Sequence, residues 1–196
     1  MAGPKKVVQS EFMSSLGTFV VAWGQLEAII DIIINEIYDK HNGATYKEKK
    51  PTVGFKRKVK FLRKWARNSS FAKSNFPWLE AHIDETVKVA RPRNNIAHGI
   101  YTNATRMQKI ANIKEATFTA KKKDGGVYTE IFSKDRLDDL ILLTLYLGEV
   151  WRSLMLIVED EGIAMKPQRL EDGLDKVASE IAALYSFKAT IIQRGI

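Results

Sequence analysis

The chain has 196 residues, of which 45% are hydrophobic and 28% charged, a composition that predicts a globular domain with its own core and excludes a disordered or fibrous protein. It contains no cysteine, which excludes disulfide bonds and thiolate metal sites and fits a reducing compartment. The formal net charge is +8, which favours an anionic partner.

The N-terminal residues 1–12 include lysines but no long apolar stretch behind them, so we expect no signal peptide. The most apolar later run, LILLTLYLGEVW, is broken by Glu149 and then Arg152, which predicts that it is too short to cross a bilayer. Both observations favour a cytoplasmic protein.

The positive charge is concentrated in one part of the chain. Residues 47–73 contain eleven lysines and arginines and a single acid, whereas residues 134–180 contain six bases and eleven acids. Such asymmetry indicates a basic face that could contact phosphates. Lys56, Lys60 and Lys64 are the candidate RNA-binding residues on this face, and a solvated helix face without a partner is the alternative.

The first predicted helix covers residues 10–40. Its apolar residues recur at helical spacing, namely Phe12, Leu16, Phe19, Val20, Trp23, Leu26, Ile30, Ile33, Ile34 and Ile37. Val21, Ala28, Ile29 and Ile32 lie off this stripe, so the helix is apolar on two faces. Such a helix is buried on two sides or covers its second face with a partner.

Two further helices precede the most polar motif of the chain. Residues 53–68 form an amphipathic helix whose cationic residues are expected on the outer side. Pro77 is suited to start the third helix, which runs to about His98. Pro92 lies inside this pattern and must kink the helix or begin a new turn.

After Gly99 the period changes, because β-branched and aromatic residues flank the turn sequence KKKDGG. This predicts an antiparallel hairpin within about 100–132, with 100–102 as a third short strand. A long helix capped by Ser133 and a last helix at about 168–187 follow. The expected fold is a single mainly α domain over 1–196, an up-and-down helical bundle with a small β-hairpin inserted after the third helix.

The stretch RPRNNIAHG at 91–99 is the one that indicates chemistry. Its RNNIAH portion, at the end of a bundle helix, resembles the HEPN superfamily (higher eukaryotes and prokaryotes nucleotide-binding domain), whose motif is an arginine, a polar residue and then a histidine after a gap of four to six. Arg93, Asn94 and His98 match that motif. AWGQLE at 22–27 is similar to the first helix of several bacterial HEPN-like families, and the resemblance covers roughly 12–161.

The resemblance implies a metal-independent endoribonuclease that acts as a homodimer, with the motif helices facing each other across a cleft. Arg93 and His98 would then be catalytic, no cofactor would be needed, and RNA would be the partner. A toxin or phage-defence factor, controlled by a cognate antitoxin or another partner protein, is one interpretation of such an enzyme.

The residue types suit this chemistry without the family. A histidine titrates near neutrality and can act as general acid or base, while an arginine offers a permanent charge and a forked donor to phosphate oxygens. Asn94 can orient a phosphate or a base edge, and two copies of His98 in a dimer could supply base and acid. Arg93 and His98 are about 140° apart on an ideal helix, however, whereas Asn94 and His98 share a face.

Plainer interpretations compete with catalysis. His98 before Gly99 can be a favourable cation at a helix end, and Arg93 can be the structural partner of Glu27. The chain would then be a non-catalytic HEPN-like module that binds RNA, nucleotide or a partner protein, or a structural dimeric bundle. The spacing of the histidines predicts no metal site, and His82 is expected on a helix surface. The four tryptophans are expected in the core.

Overall fold

The computed structural model describes residues 7–47, 49–50, 54–98, 100–101, 115–121, 126–160 and 167–193. Its elements, in chain order, are α1 (Val7–Lys40), a 3₁₀ turn (Gly43–Thr45), α2 (Phe55–Asn68), α3 (Ser70–Asn75), α4 (Leu79–His98), β1 (Ile100–Tyr101), β2 (Glu115–Lys121), β3 (Val127–Ser133), α5 (Lys134–Asp160) and α6 (Pro167–Gln193). The prediction of a mainly α fold with a small β-hairpin after the motif helix is confirmed.

The three strands form one antiparallel sheet in the order β1-β2-β3. The hairpin register pairs Glu115 with Ser133 and Lys121 with Val127, and the turn between these strands falls outside the described residues. β1 pairs with the opposite edge of β2, with Ile100 opposite Thr119. The predicted third strand is therefore present over Ile100–Tyr101, while residue 102 lies outside the described part of the chain.

The helices pack around one main core. α1 and α5 run parallel, since Ser15 lies against Asp138 near one end and His41 against Val158 near the other. α6 returns antiparallel to α5, with Tyr146 against Phe187 and Ser153 against Glu180. The largest fully buried side chains belong to this core or to the adjoining hairpin cluster, namely Trp23, Trp65, Trp151, Phe19, Phe61, Phe132, Leu26, Ile30, Ile33, Ile34, Ile37 and Leu62.

A second, smaller cluster fixes the hairpin on the bundle. Phe118 and Phe132 from β2 and β3 pack edge to face against each other and against Phe12 and Leu137. Ile96 on α4 contacts both this cluster and the main core. The last turns of α4, which carry the RNNIAH sequence, are therefore held between the bundle and the sheet.

Several sequence expectations about the helices need correction. α3 was missed, because a six-residue helix is too short to show periodicity; Ser69 caps it by accepting a hydrogen bond from the backbone N–H of Ala72. α4 begins at Leu79 rather than at Pro77, and α6 continues beyond the expected 187 to Gln193. α4 also continues through Pro92, so of the two expected roles this residue does not begin a new helix.

The apolar second face of α1 is exposed in the single chain. Val21 and Ile32, which lie off the main stripe, are solvent-exposed, and so is Val20, which the helical spacing places on the stripe. Ile29 instead is half-buried against the core. Among the described residues, none beyond the neighbouring turns of α1 itself lies within 4 Å of a Cβ built at Gly17 or Gly24, so nothing described covers α1 at these two positions.

Two helices of the described chain are long and apolar enough to cross a membrane, within Glu11–Lys40 and Lys134–Glu159. Glu149 and Arg152 do not remove α5 from this group, contrary to the sequence argument. They form an ion pair of 2.8 Å with each other on the surface of the helix. Both helices also supply much of the buried core, and core helices of this length meet the same criterion.

Candidate functional site

A cleft of about 820 Å³ opens where the end of α4, the start of α2 and the edge of α1 meet. Its lining consists of Glu27, Gly54, Phe55, Lys56, Val59, Arg63, Val87, Ala90, Arg91, Arg93, Asn94, Asn95 and His98. Four of these side chains are lysine or arginine, one is histidine and one is acidic. The cleft is therefore electropositive, and all three members of the Arg-Asn-His motif lie in its wall.

The continuity of α4 through Pro92 explains how the motif comes together. Pro92 is buried and lacks the N–H that would bond to the preceding turn, yet the helix extends to His98. Arg93 and His98 remain about 140° apart around the helix axis. Both nevertheless line the same cleft, as do Asn94 and Asn95.

Arg93 is partly enclosed by α1. Its Nη2 lies 3.6 Å from Oε2 of Glu27, its Nη1 donates a 3.1 Å hydrogen bond to Oδ1 of Asn94, and its guanidinium lies 6.0 Å from the centre of the Trp23 ring. The expected ion pair with Glu27 is thus present. The Arg93 side chain keeps 31% of its surface exposed, so a ligand in the cleft can still reach it.

The same carboxylate also neutralises a buried lysine. Lys58 on α2 is only 4% exposed and lies 3.3 Å from Oε1 of Glu27 and 2.7 Å from Oδ1 of Asp31. The expectation that every cation of α2 lies on its outer side is therefore wrong for Lys58. A lysine is buried only where carboxylates compensate its charge, and its partners lie 27 and 31 positions away in the sequence, beyond the reach of periodicity.

His98 occupies the mouth of the cleft. Its side chain is exposed, and it makes no hydrogen bond or ion pair with the residues that the structure describes. His98 also lies in the last turn of α4, where a cation is favourable as the alternative interpretation expects, while the expected cap Gly99 lies outside the described residues. An exposed imidazole in a basic cleft is accessible to a substrate or to a second protein copy.

Asn95, the second asparagine of the motif, has a different role from Asn94. Its Nδ2 donates a short hydrogen bond to Oε2 of Glu130 on β3, and Arg136 pairs with the other carboxylate oxygen. Arg136 also donates a 2.6 Å hydrogen bond to the carbonyl of Ile131. Glu130 is buried, so this group ties the motif helix to the hairpin; neither Glu130 nor Arg136 was identified from the sequence.

A second groove, of about 530 Å³, extends along the exposed side of α2. It is lined by the three predicted RNA-binding lysines and by Val59, Arg63, Arg67 and Asn68. Lys56, Val59 and Arg63 line both the groove and the motif cleft. The two depressions therefore form one continuous basic surface.

The cations of this groove differ in how far they are already neutralised. Arg63 pairs with Asp84 at 2.5 Å and Arg67 with Glu80 at 2.7 Å, both across to α4. Lys56, Lys60 and Lys64 are exposed and form no ion pair with a described residue. The lysines, rather than the arginines, hold the charge that is free for a ligand.

The start of α2 adds a smaller positive contribution at the cleft. Gly54 precedes the helix with φ +82°, a left-handed conformation that favours glycine, and it has no side chain to cap the first N–H groups. The first turn contains no acidic residue. The positive end of the helix dipole therefore lies in the wall formed by Gly54, Phe55 and Lys56.

The other histidines lie outside the site. His82 was expected on a helix surface, but it is buried between Trp78 and Trp151, and burial lowers its pKa to about 4. His41 lies in the turn after α1 and contacts the carbonyl of Val158. Among the described residues no group of histidine and carboxylate side chains could hold a metal ion.

Comparison of the chain with known protein families, with curated proteins and with solved structures gives no match.

Proposed function

We propose that the protein is a HEPN-like, metal-independent endoribonuclease that acts as a homodimer in the cytoplasm. The observation that carries the proposal is the meeting of Arg93, Asn94 and His98 in one electropositive cleft that continues into the lysine groove of α2. The combination supplies an acid–base group, a phosphate clamp and a path for a polyanion in one surface. Its biological role would be that of a toxin or phage-defence factor held in check by a partner protein.

The chemistry assigned to the cleft is attack of an RNA 2′-hydroxyl on the adjacent phosphorus. A neutral imidazole of His98 takes the hydroxyl proton, the 2′-oxygen bonds to phosphorus, and the bond to the 5′-oxygen breaks. The leaving oxygen takes a proton from the protonated His98 of the second protomer. Arg93 stabilises the extra negative charge on the phosphorane, and the products are a 2′,3′-cyclic phosphate and a free 5′-hydroxyl.

A non-catalytic module that binds RNA or a partner protein is the second candidate. Two observations favour it: Arg93 is already tied to Glu27, and His98 is exposed without a partner residue among those described. In that case the cleft binds its ligand and releases it unchanged.

The deciding experiment compares wild type with His98→Ala on a panel of unstructured RNAs in EDTA. We expect wild type to leave 2′,3′-cyclic phosphate ends and His98→Ala to cleave about 10²–10⁴ times more slowly with an unchanged melting temperature. His41→Ala is the matched control, because His41 follows the end of α1, and that end lies about 20 Å along the helix from Glu27. Equal cleavage with and without His98 would rule out the enzyme, and no cleavage by wild type would leave the binding module.

A further inference from the structure

Building on the proposed function, we infer that the ligand of this surface is a single nucleic-acid strand, with one unpaired base on the floor of the motif cleft and the neighbouring phosphates on Lys56, Lys60 and Lys64. The shape of the cleft and the distribution of unpaired charge along α2 both favour a single strand. The Arg-Asn-His motif alone does not distinguish a single strand from a duplex.

The floor of the cleft is apolar although its rim is basic. Phe55, Val59, Val87 and Ala90 contribute to its lining, and the ring of Phe55 is half-buried and held edge to face by Trp23 at 5.1 Å between ring centres. A volume of about 820 Å³ lies in the range of small-ligand pockets. Such a pocket admits a base only when the base is free of its stack and of its pairing partner.

The amide groups at the rim are placed to contact such a base. Asn94 is exposed beside the floor, and its carbonyl oxygen already accepts from Arg93, which leaves its Nδ2 as a donor toward the cleft. Asn95 is held by Glu130 and keeps the adjacent turn of α4 in place. An amide donor above an apolar floor suits the pairing edge of an unpaired base, because in a duplex that edge is already bonded to the opposite base.

The lysines continue the binding surface away from the cleft. Lys56, Lys60 and Lys64 are four residues apart and share one face of α2, with a rise of about 6 Å per step and about 12 Å in total. This forms a single row of cations of the length of a few nucleotides. Because Arg63 and Arg67 are held by Asp84 and Glu80, the side of the groove toward α4 offers paired charges rather than a second row of free cations.

A duplex would require a different surface. A duplex presents two rows of phosphates. With one row on the lysines of α2, the second row would lie toward the carboxylates of α4, which would repel it. No aromatic side chain is among the residues that line the groove along α2, so bases beyond the cleft would not be stacked and their identity would matter little. The surface therefore suits a single strand, whose backbone it binds along α2 and of which it contacts one base in the cleft.

The test uses binding of 2′-O-methyl RNA, which lacks the proposed nucleophile and cannot be cut by the proposed chemistry. Fluorescence anisotropy would compare an unstructured 12-mer with the same sequence in a duplex and with a 12-mer that has no bases. We expect the single strand to bind at least tenfold more tightly than the duplex and about tenfold more tightly than the strand without bases. Equal affinity for the duplex, or for the strand without bases, would overturn the inference.

The contribution of the lysine row is measured separately, as the slope of the logarithm of the RNA association constant against the logarithm of the salt concentration. Lys60→Ala/Lys64→Ala should reduce the magnitude of the slope by about 1.4, since each phosphate contact on a single strand contributes about 0.7. Lys73→Ala/Lys176→Ala removes two exposed lysines outside the groove and should leave the slope unchanged. An equal slope for wild type and the groove variant would overturn the inference. Loss of cleavage with these binding results intact would instead count only against the proposed enzyme.

Discussion

The guanidinium of Arg93 on α4 and the carboxylate of Glu27 on α1 are joined by an ion pair in which Nη2 lies 3.6 Å from Oε2. Oε2 also accepts a 3.2 Å hydrogen bond from Nε1 of Trp23, and Oε1 faces the buried ammonium of Lys58. One carboxylate therefore holds a partly exposed motif arginine and compensates a lysine beneath it. The orientation of the Arg93 side chain therefore depends on how α1 packs against α2.

Glu27→Gln removes the carboxylate that holds the Arg93 guanidinium. It should lower the cleavage rate ten- to hundredfold, because a small displacement of a group that positions the phosphate slows the reaction strongly. Asp31→Asn is the matched control, since Asp31 contacts Lys58 but not Arg93. Both variants should lower the unfolding free energy by about 1–3 kcal/mol, as each removes a charged partner of a buried lysine. Single-turnover cleavage and denaturant unfolding measure the two effects. Equal loss of cleavage in Asp31→Asn would assign Glu27 a purely structural role.

Arg93→Lys separates charge from geometry. Lysine keeps the positive charge near Glu27, so the melting temperature should stay within a few degrees of wild type. It loses the planar fork that fits two phosphate oxygens, so cleavage should fall severely. Single-turnover rates at saturating RNA provide the measurement. Near-wild-type cleavage by Arg93→Lys would show that only the charge matters.

The two asparagines should respond differently to substitution. Asn95→Ala removes a hydrogen bond to the buried Glu130, so we expect a loss of about 1–3 kcal/mol in unfolding free energy. Asn94 is exposed in the cleft, and Asn94→Ala should reduce RNA cleavage without a change in melting temperature. Melting temperatures and initial cleavage rates are measured for both variants, so that the effect of each substitution on stability and on cleavage can be compared. A destabilised Asn94→Ala would contradict the assignment.

The sequence predicts most of the architecture because the helices of this bundle are long and periodic. Turn composition places the hairpin, and Ser133 marks the start of α5 by accepting the backbone N–H of Arg136. Val20 was assigned to the wrong face because it lies at the edge of a broad stripe, and only the position of neighbouring helices decides which edge is covered. The buried position of His82 was missed for the same reason.

The sequence also identifies the motif residues, but not what surrounds them. Arg93, Asn94 and His98 form a local pattern, whereas the partners of Lys58 and of Asn95 come from segments 27 to 35 residues distant. Contacts of that range depend on how α1, α2 and the hairpin pack. The separate roles of Asn94 and Asn95 could not be assigned from two identical neighbouring residues.

We expect a homodimer in solution, because α1 leaves apolar side chains exposed and the proposed chemistry needs two histidines. The exposed fractions of Met13, Val20 and Val21 are 57%, 48% and 61%. An exposed apolar patch of this kind is typical of a protein–protein interface. Light scattering at micromolar concentration should return twice the chain mass of 22.2 kDa. Val21→Asp should shift the mass toward the monomer, while Ala182→Glu on the exposed side of α6 should not. A wild-type mass of one chain would refute the prediction.

His82 should make the fold sensitive to acid. Its ring is 4% exposed, lies 5.9 Å from the ring of Trp78 and 5.1 Å from that of Trp151, and its Nε2 has no hydrogen-bond partner among the described residues. Burial lowers its pKa to about 4, and this outweighs the opposite influences of the Leu147 backbone and of Glu85. An unfolded histidine has a pKa of about 6.5. Between these values the unfolded chain binds a proton that the folded chain does not.

The unfolding free energy should therefore be fully retained above pH 6.5 and fall by up to about 3 kcal/mol as the pH drops toward 4. Denaturant unfolding of wild type and His82→Phe at several pH values measures the difference, since both proteins keep His41 and His98. The phenylalanine variant should lack this part of the pH dependence. Should His82→Phe not fold, the Cε1 proton of His82 can be followed by NMR in wild type. We expect the ring to stay neutral at pH 6.5 in the folded protein, because a charged imidazole does not persist unpaired between two tryptophans in a core. Protonation of the ring near pH 6.5 in the folded protein would refute the prediction.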